Sequence, residues 1–274
     1  MITYNYGVID MKNIWDVVAS SFGKVGPTYW NDFGEYLVEF SNMKSGSKVL
    51  DIGIGRGSSL FPTATKIGVT GHVVGIDNSQ AMVSETQKEI FEKKLSNVEV
   101  FHMNADFLEF NNEKFDNVIN GFGFGYIYLG KNGFKEIMRV LKPGGKASFS
   151  IWGIQEDQKW FSNIVEKYIK SEKGNNINYK FDTIDDVMKI LKEARFKNIE
   201  IEEVNTTIVY NSKDEWWNEM NNNAVRGIID CIEQMGEEIF TEFKKDVFEG
   251  LSKYETTEGF SFNMPVIYAS GMKL

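Results

Sequence analysis

The stretch Val49-Leu50-Asp51-Ile52-Gly53-Ile54-Gly55-Arg56-Gly57-Ser58-Ser59 places three glycines at alternate positions directly after a run of strand-forming residues. A strand, a glycine-rich turn and a helix N-terminus together make a seat for the polar part of a nucleotide-like ligand. Backbone N–H groups point outward there and no Cβ blocks close approach. The dinucleotide-binding pattern G-x-G-x-x-G is nearly met, with Gly53 and Gly55 in place and Ser58 where the third glycine belongs. Two features speak against a pyrophosphate. Asp51, two residues before Gly53, sets a carboxylate at the mouth of the turn, where it repels phosphate and welcomes an ammonium or a water network around one. The third glycine also falls at Gly57, giving Gly-x-Gly-x-Gly. The loop therefore favours a ligand that is nucleoside-like but cationic.

Around this loop, short apolar runs alternate with longer amphipathic ones, the pattern of a sheet with crossover helices. Strands are expected at 48–52, 73–77, 98–102, 116–121, 146–151, 199–204 and 265–272. Between them, 79–95 opens on a capping serine and carries Met82, Val83, Thr86, Ile90 and Leu95 near one face. Residues 134–141 stop at Lys142-Pro143-Gly144-Gly145, read as a turn through which neither helix nor strand continues. Residues 183–194 start close to a capping box and run on at helical spacing. Two regions break the alternation. The leading forty residues carry Trp15, Phe22, Tyr29, Trp30, Phe33, Tyr36 and Phe40, and 212–258 forms a long insertion with Trp216, Trp217 and an amphipathic run at 225–248. Both either pad the sheet or fold over its carboxyl edge, where ligands bind in open α/β sheets.

Further along the chain, Asp77 ends the second strand 24 positions after Gly53, placed for a bidentate hydrogen bond to ribose hydroxyls. After the third strand, Asn104-Ala105-Asp106-Phe107 offers Asp106 to an exocyclic adenine amine and Phe107 to the ring face. A helix cap and a core residue are the plainer roles for the same two side chains.

Composition limits the partners. A chain of 274 residues, 42% hydrophobic, is long enough to bury a full core. Its 39 acidic against 30 basic residues give a charge of −9, which repels a phosphate backbone, and no Lys/Arg cluster is interleaved with aromatics. Nucleic acid is not an expected partner. The lone Cys231 excludes an internal disulfide and fits a reducing compartment. No basic region followed by an apolar run opens the chain, and no run approaches the roughly 18 apolar residues of a membrane span. A soluble, cytoplasmic protein is expected, its oligomeric state left open. Two histidines and one cysteine supply too few zinc ligands, so no metal is expected. Neither His72 nor His102 is assigned a catalytic role.

Taken together, Val49 to Gly57, Gly75-Ile76-Asp77, Ala105-Asp106, Phe115-Asp116-Asn117-Val118 and Leu141-Lys142-Pro143-Gly144-Gly145-Lys146 resemble the class I S-adenosylmethionine-dependent methyltransferases, and most closely small-molecule enzymes of the quinone-biosynthesis type. The resemblance spans about 46–204 in order and spacing. It implies an α/β fold: a three-layer, Rossmann-like, seven-stranded sheet, mostly parallel with its last strand antiparallel, here 265–272. It implies a methyl transfer from S-adenosylmethionine to a small-molecule O, N or C nucleophile, leaving S-adenosylhomocysteine. By the same resemblance Gly53, Gly55 and Gly57 approach the methionine portion and Asp51 holds its amino group. Asp77 binds the ribose, and Asn78 and Met82 flank the adenine edge. Ala105, Asp106 and Phe107 take the adenine. Asn120 offers its backbone carbonyl near the amino group, and Phe22 and Tyr29 shield the sulfonium. Acceptor-side candidates are Phe122, Tyr126, Trp152 and Trp216. The expected organisation is a helical lid segment at 1–45, a core at 46–211, a helical insertion forming a cap at 212–260 and a final core strand at 261–274. A non-catalytic S-adenosylmethionine-binding module and an NAD-dependent oxidoreductase are the rival readings, the latter opposed by Asp51.

Overall fold

The computed structural model describes residues 14–169 and 181–274. Along the chain run helices α1 (Ile14–Val18) and α2 (Tyr29–Ser41), strand β1 (Lys48–Ile52), α3 (Leu60–Ile67), β2 (His72–Asp77), α4 (Gln80–Glu92), β3 (Val98–His102) and β4 (Phe115–Gly121). There follow α5 (Phe124–Leu129), α6 (Gly133–Val140), β5 (Leu141–Trp152), α7 (Lys159–Tyr168), α8 (Ile184–Glu193), β6 (Lys197–Val204) and β7 (Thr207–Tyr210). The last elements are α9 (Lys213–Met220), α10 (Arg226–Glu233), α11 (Glu237–Leu251), β8 (Glu255–Thr256), β9 (Gly259–Asn263) and β10 (Val266–Met272). Two compact units result: 29–153, 181–204 and 266–274 make the larger, and 14–28, 154–169 and 205–265 the smaller. The segment expected as one leading lid piece is thus divided, with α1 in the smaller unit and α2 in the larger.

The larger unit is built on a seven-stranded sheet of order β3-β2-β1-β4-β5-β10-β6. β1 pairs in parallel with both β2 and β4, whereas β10 is antiparallel to β5 and β6. The order turns back between β1 and β4, the switch point at whose carboxyl ends open α/β sheets bind ligands. Alternation of side chains gives the sheet two unlike faces. Leu50, Ile52, Val118, Phe149, Ile151 and Ile267 build an apolar core with Phe124, Ile137, Val187 and Leu191 of the covering helices. The intervening residues of β5, Ser148 and Ser150, are also buried. They face the side where Leu37 of α2, Ser59 and Ser150 surround Gly121.

One expectation needs correcting. β5 starts at Leu141, and the Lys142-Pro143-Gly144-Gly145 stretch lies inside it. The pairing passes from Phe115↔Leu141 directly to Asn117↔Lys146, so these residues bulge out of register. Pro143 has no N–H to lose, Gly144 takes φ +77°, and the end of the chain supplies the missing partners. Gly144 N–H donates to Lys273 O at 2.7 Å, and Lys273 N–H to Gly145 O at 2.9 Å.

In the smaller unit, Trp160, Phe161, Trp216 and Phe243 pack ring against ring. The amphipathic run at 225–248 is broken at Gly236, φ +118°, into α10 and α11. The insertion expected to be helical also ends in strand: β9 pairs antiparallel with β7 and β8, burying Phe260 and Phe262 at period two.

Candidate functional site

β1 delivers Asp51 to the carboxyl edge with its side chain 0% exposed. Oδ2 accepts from Ser59 Oγ at 2.7 Å, while Oδ1 is buried without a hydrogen-bond partner. Burial, reinforced by the charge of Asp77 and opposed by the Ser59 bond, lifts this carboxyl to about 7. Behind it the chain turns through Gly53, Gly55 and Gly57, all at positive φ (+73°, +48° and +86°), a path that L side chains resist. Gly53 N–H and Ile54 N–H both donate to Ile76 O, at 2.7 and 3.1 Å, which anchors the turn to the end of β2.

Asp77, at the end of β2, has both carboxylate oxygens held by backbone donors. Gly55 N–H donates to Oδ2 at 2.9 Å and Ser79 N–H to Oδ1 at 2.8 Å. Ser79 in turn caps α4, accepting from Met82 N–H at 3.1 Å. Asn78 is exposed beside this cap, and Met82 is buried beneath it. The ring Nε2 of His102 lies 3.2 Å from Asn78 O.

After β3, Asp106 is held in place: it accepts from Lys131 N–H at 3.0 Å and Asn132 N–H at 2.9 Å, tying this loop to the one after α5. Ala105 is half-buried, while the Phe107 ring is 67% exposed. At the end of β4, the Asn120 side-chain amide donates to Ile52 O at 2.6 Å, and its Oδ1 is buried without a partner. The side chain, unmentioned at the sequence level, therefore braces β1 against β4.

The acceptor-side candidates separate into two groups. Phe122 and Trp152, at the ends of β4 and β5, meet at 4.4 Å between centroids with their planes tilted by 38°, and Trp30 and Phe33 of α2 meet both within 5.3 to 5.7 Å. Tyr29 joins this cluster through Trp30 and Phe33. Phe122 is itself in the left-handed region, φ +57°, a costly state for an aromatic residue. Tyr126 is 50% exposed on α5. Trp216, by contrast, is 0% exposed between Trp160 and Phe161. It is a core residue of the smaller unit, not a pocket wall, because α9 turns its apolar side inward. Phe22 also belongs to the smaller unit, against Trp15 at 5.5 Å.

Several contributors escaped the sequence reading. Ser59 satisfies half of Asp51. Trp30 and Phe33, expected only as part of the leading aromatic segment, complete the aromatic cluster, and their i, i+3 spacing was the signal that singles them out. Gly34, on the same helix, is required by proximity: a Cβ there would fall on the Ser58 carbonyl. α2 thus presses its backbone on the glycine loop. Among the described residues, no group of three or more His, Cys, Asp or Glu is placed to hold a metal ion, and no helix is long and apolar enough to cross a membrane. Asp116 is occupied at the far edge of the sheet by Lys48 N–H at 2.8 Å and Lys142 Nζ at 2.6 Å.

A buried carboxylate with one unpartnered oxygen, three left-handed glycines and a flanking ring cluster suit a ligand that is cationic near Asp51 and apolar near Phe122. Comparison with known proteins gives the family and the fold. The model of the ubiE/COQ5 methyltransferase family matches residues 12–171. The aklanonic acid methyltransferase DauC of a Streptomyces species is 32% identical over 136 residues, 50% of this chain and 62% of that protein. A demethylmenaquinone methyltransferase of Bacillus cereus is 38% identical over 105 residues, 38% of this chain and 44% of that protein. The chain therefore spans about half the length of the curated relatives it matches. Among solved structures, a Haemonchus contortus phosphoethanolamine N-methyltransferase bound to S-adenosylhomocysteine superposes with TM-score 0.60 at 19% identity, covering 97% of this chain and 61% of that one. The YcgJ protein of Bacillus subtilis gives 0.59 at 16%, covering 88% and 98%. At such identities the likeness is one of fold.

Proposed function

The chain belongs to the ubiE/COQ5 methyltransferase family, and from that premise we propose that it transfers a methyl group from S-adenosylmethionine to a small-molecule acceptor by direct in-line displacement. The observation that carries the reading is Asp51: fully buried, with one unpartnered oxygen, at the mouth of a loop whose three glycines all take positive φ. Such a carboxylate recognises an ammonium and rejects a pyrophosphate.

In this reading Asp51 receives the amino group and Gly53, Gly55 and Gly57 leave room for the methionine portion. Asp77, already aligned by Gly55 and Ser79 N–H groups, accepts from the ribose hydroxyls. Asn78 and Met82 border the adenine, with Ala105, Asp106 and Phe107 on its other side. The Asn120 carbonyl is offered toward the amino group. The cofactor supplies an electrophilic methyl on a sulfonium. Tyr29, Trp30, Phe33, Phe122 and Trp152 supply ring faces that favour a cation and exclude water. Positioning accounts for much of the barrier, since nucleophile and methyl need only be aligned at roughly 3–3.5 Å. The aromatic rings gathered at that edge suit a flat phenolic or quinone-like acceptor, which also fits the relative named for demethylmenaquinone. An acceptor that ionises by itself requires no general base. The lone Cys231 supports a reducing, cytoplasmic setting.

Calorimetric titration with S-adenosylhomocysteine, NADH and the Asp77→Ala variant tests this. The thioether is expected to bind, NADH not to, and the variant to lose most of the affinity. No binding of the thioether, or equal binding of NADH, would overturn the proposal.

A further inference from the structure

We propose that Arg56 is a positioning residue for the cofactor: gripped by two carboxylates of α4, it fixes the glycine loop in the shape that receives S-adenosylmethionine. This rests on the reading above that the loop holds that ligand. Arg56 stands between Gly55 and Gly57, yet its side chain is only 5% exposed. Its guanidinium bonds Glu89 and lies 3.9 Å from Glu85. Burying an arginine is costly unless it is paired. Recognition by glycine backbone needs no cation at that position, and an unneutralised one would repel a sulfonium. Two carboxylates facing one guanidinium remove that repulsion and leave the pairing as the function of the charge.

The neighbouring residue is held from two further directions. Gly55 N–H donates to Asp77 Oδ2 at 2.9 Å, and Gly55 O accepts from Thr86 Oγ1 at 2.7 Å. Glu85, Thr86 and Glu89 lie within two turns of α4, so one helix supplies three of the four attachments, and β2 the last. Glycines at alternate positions leave the loop more backbone freedom than other residues would. Fixing two consecutive residues from outside removes that freedom before the ligand arrives, which is how preorganisation raises affinity.

The test compares wild type with Arg56→Met, Arg56→Lys and Glu89→Gln, measuring S-adenosylmethionine and S-adenosylhomocysteine affinity by calorimetry well below the melting temperature, together with the ligand-free melting temperature. Arg56→Met is expected to weaken both ligands by the same factor, on the order of tenfold, with Glu89→Gln smaller in the same direction and Arg56→Lys between. Equal factors are expected of a shape effect, because the two ligands share every group except the sulfonium methyl and the positive charge that goes with it. A lowered melting temperature with unchanged affinities would make the pair merely structural and overturn the inference. So would a loss confined to S-adenosylmethionine, which would signal charge rather than shape. Should Arg56→Met fail to fold, Glu89→Gln, which keeps Glu85 as partner, decides. Wild type that binds neither ligand would remove both the reading and the inference. Wild type that binds, beside variants that bind equally well, would remove the inference alone.

Discussion

Asp51 concentrates the electrostatics of the site in one side chain. Its carboxyl is lifted to about 7 chiefly by burial, so near neutrality it is poised between protonated and ionised forms. The sign of the linkage follows. In the folded state the group binds its proton up to a higher pH than in the unfolded chain, so its contribution to stability is complete in acid and is lost as pH rises through 7. Melting temperature is expected to fall between about pH 4 and 7 more steeply in the wild type than in Asp51→Asn. A ligand ammonium selects the ionised form, so affinity for S-adenosylhomocysteine should move the opposite way, weakening toward about tenfold per unit below pH 7 and flattening in the variant. Parallel pH profiles for the two proteins would show that Asp51 does not titrate in this range. The acidic residue before the glycines was legible in the sequence. Its burial, its Ser59 partner and its open oxygen were not, since they depend on what packs above the sheet.

At the scale of an element, α2 shows how one helix serves core and site together. Leu37 packs near Gly121, Trp30 and Phe33 join Phe122 and Trp152, and Gly34 permits the backbone to meet Ser58. Gly34→Ala adds one methyl where the nearest atoms are main chain and cannot rotate away. A loss of about 1–3 kcal/mol in stability is expected, the usual range for overpacking. Because the displaced partner is the glycine loop, affinity for S-adenosylhomocysteine should fall with it. Chemical denaturation and titration of the same preparation check both, and a variant as stable and as tightly binding as wild type would show that α2 yields freely. β5 teaches a complementary lesson. Lys142-Pro143-Gly144-Gly145 has every local mark of a turn, yet hydrogen bonds from Lys273 hold it in the sheet, a partner 128 or more positions away that no local reading supplies.

At the scale of the whole molecule, the candidate cofactor residues all belong to the larger unit except Phe22. Apart from Tyr29 of α2 and Phe22, they lie at the carboxyl ends of β1, β2, β3 and β4 or in the segments that directly follow them. Hydrogen exchange should report this directly. S-adenosylhomocysteine is expected to slow exchange at 53–59, 77–82, 104–107 and 120–122 together, while α11 is unchanged. Protection limited to one loop, or strongest in α11, would contradict a site assembled at the carboxyl edge.

By itself the sequence marked the seven strands of the larger sheet and carried the family resemblance, which in turn implied the antiparallel sense of the last strand, because each motif marks a point where the backbone must turn, stop or bare its N–H groups, and such marks are local. Trp216 shows the limit: an aromatic residue reads alike whether it lines a pocket or fills a core, and only the packing of α9 against Trp160 and Phe161 decided for the core. Tertiary structure alone paired Arg56 with Glu89 across 33 positions and left Asp51 an unpartnered oxygen. Burial and partnership are properties of the folded surroundings, and no spacing along the chain encodes them.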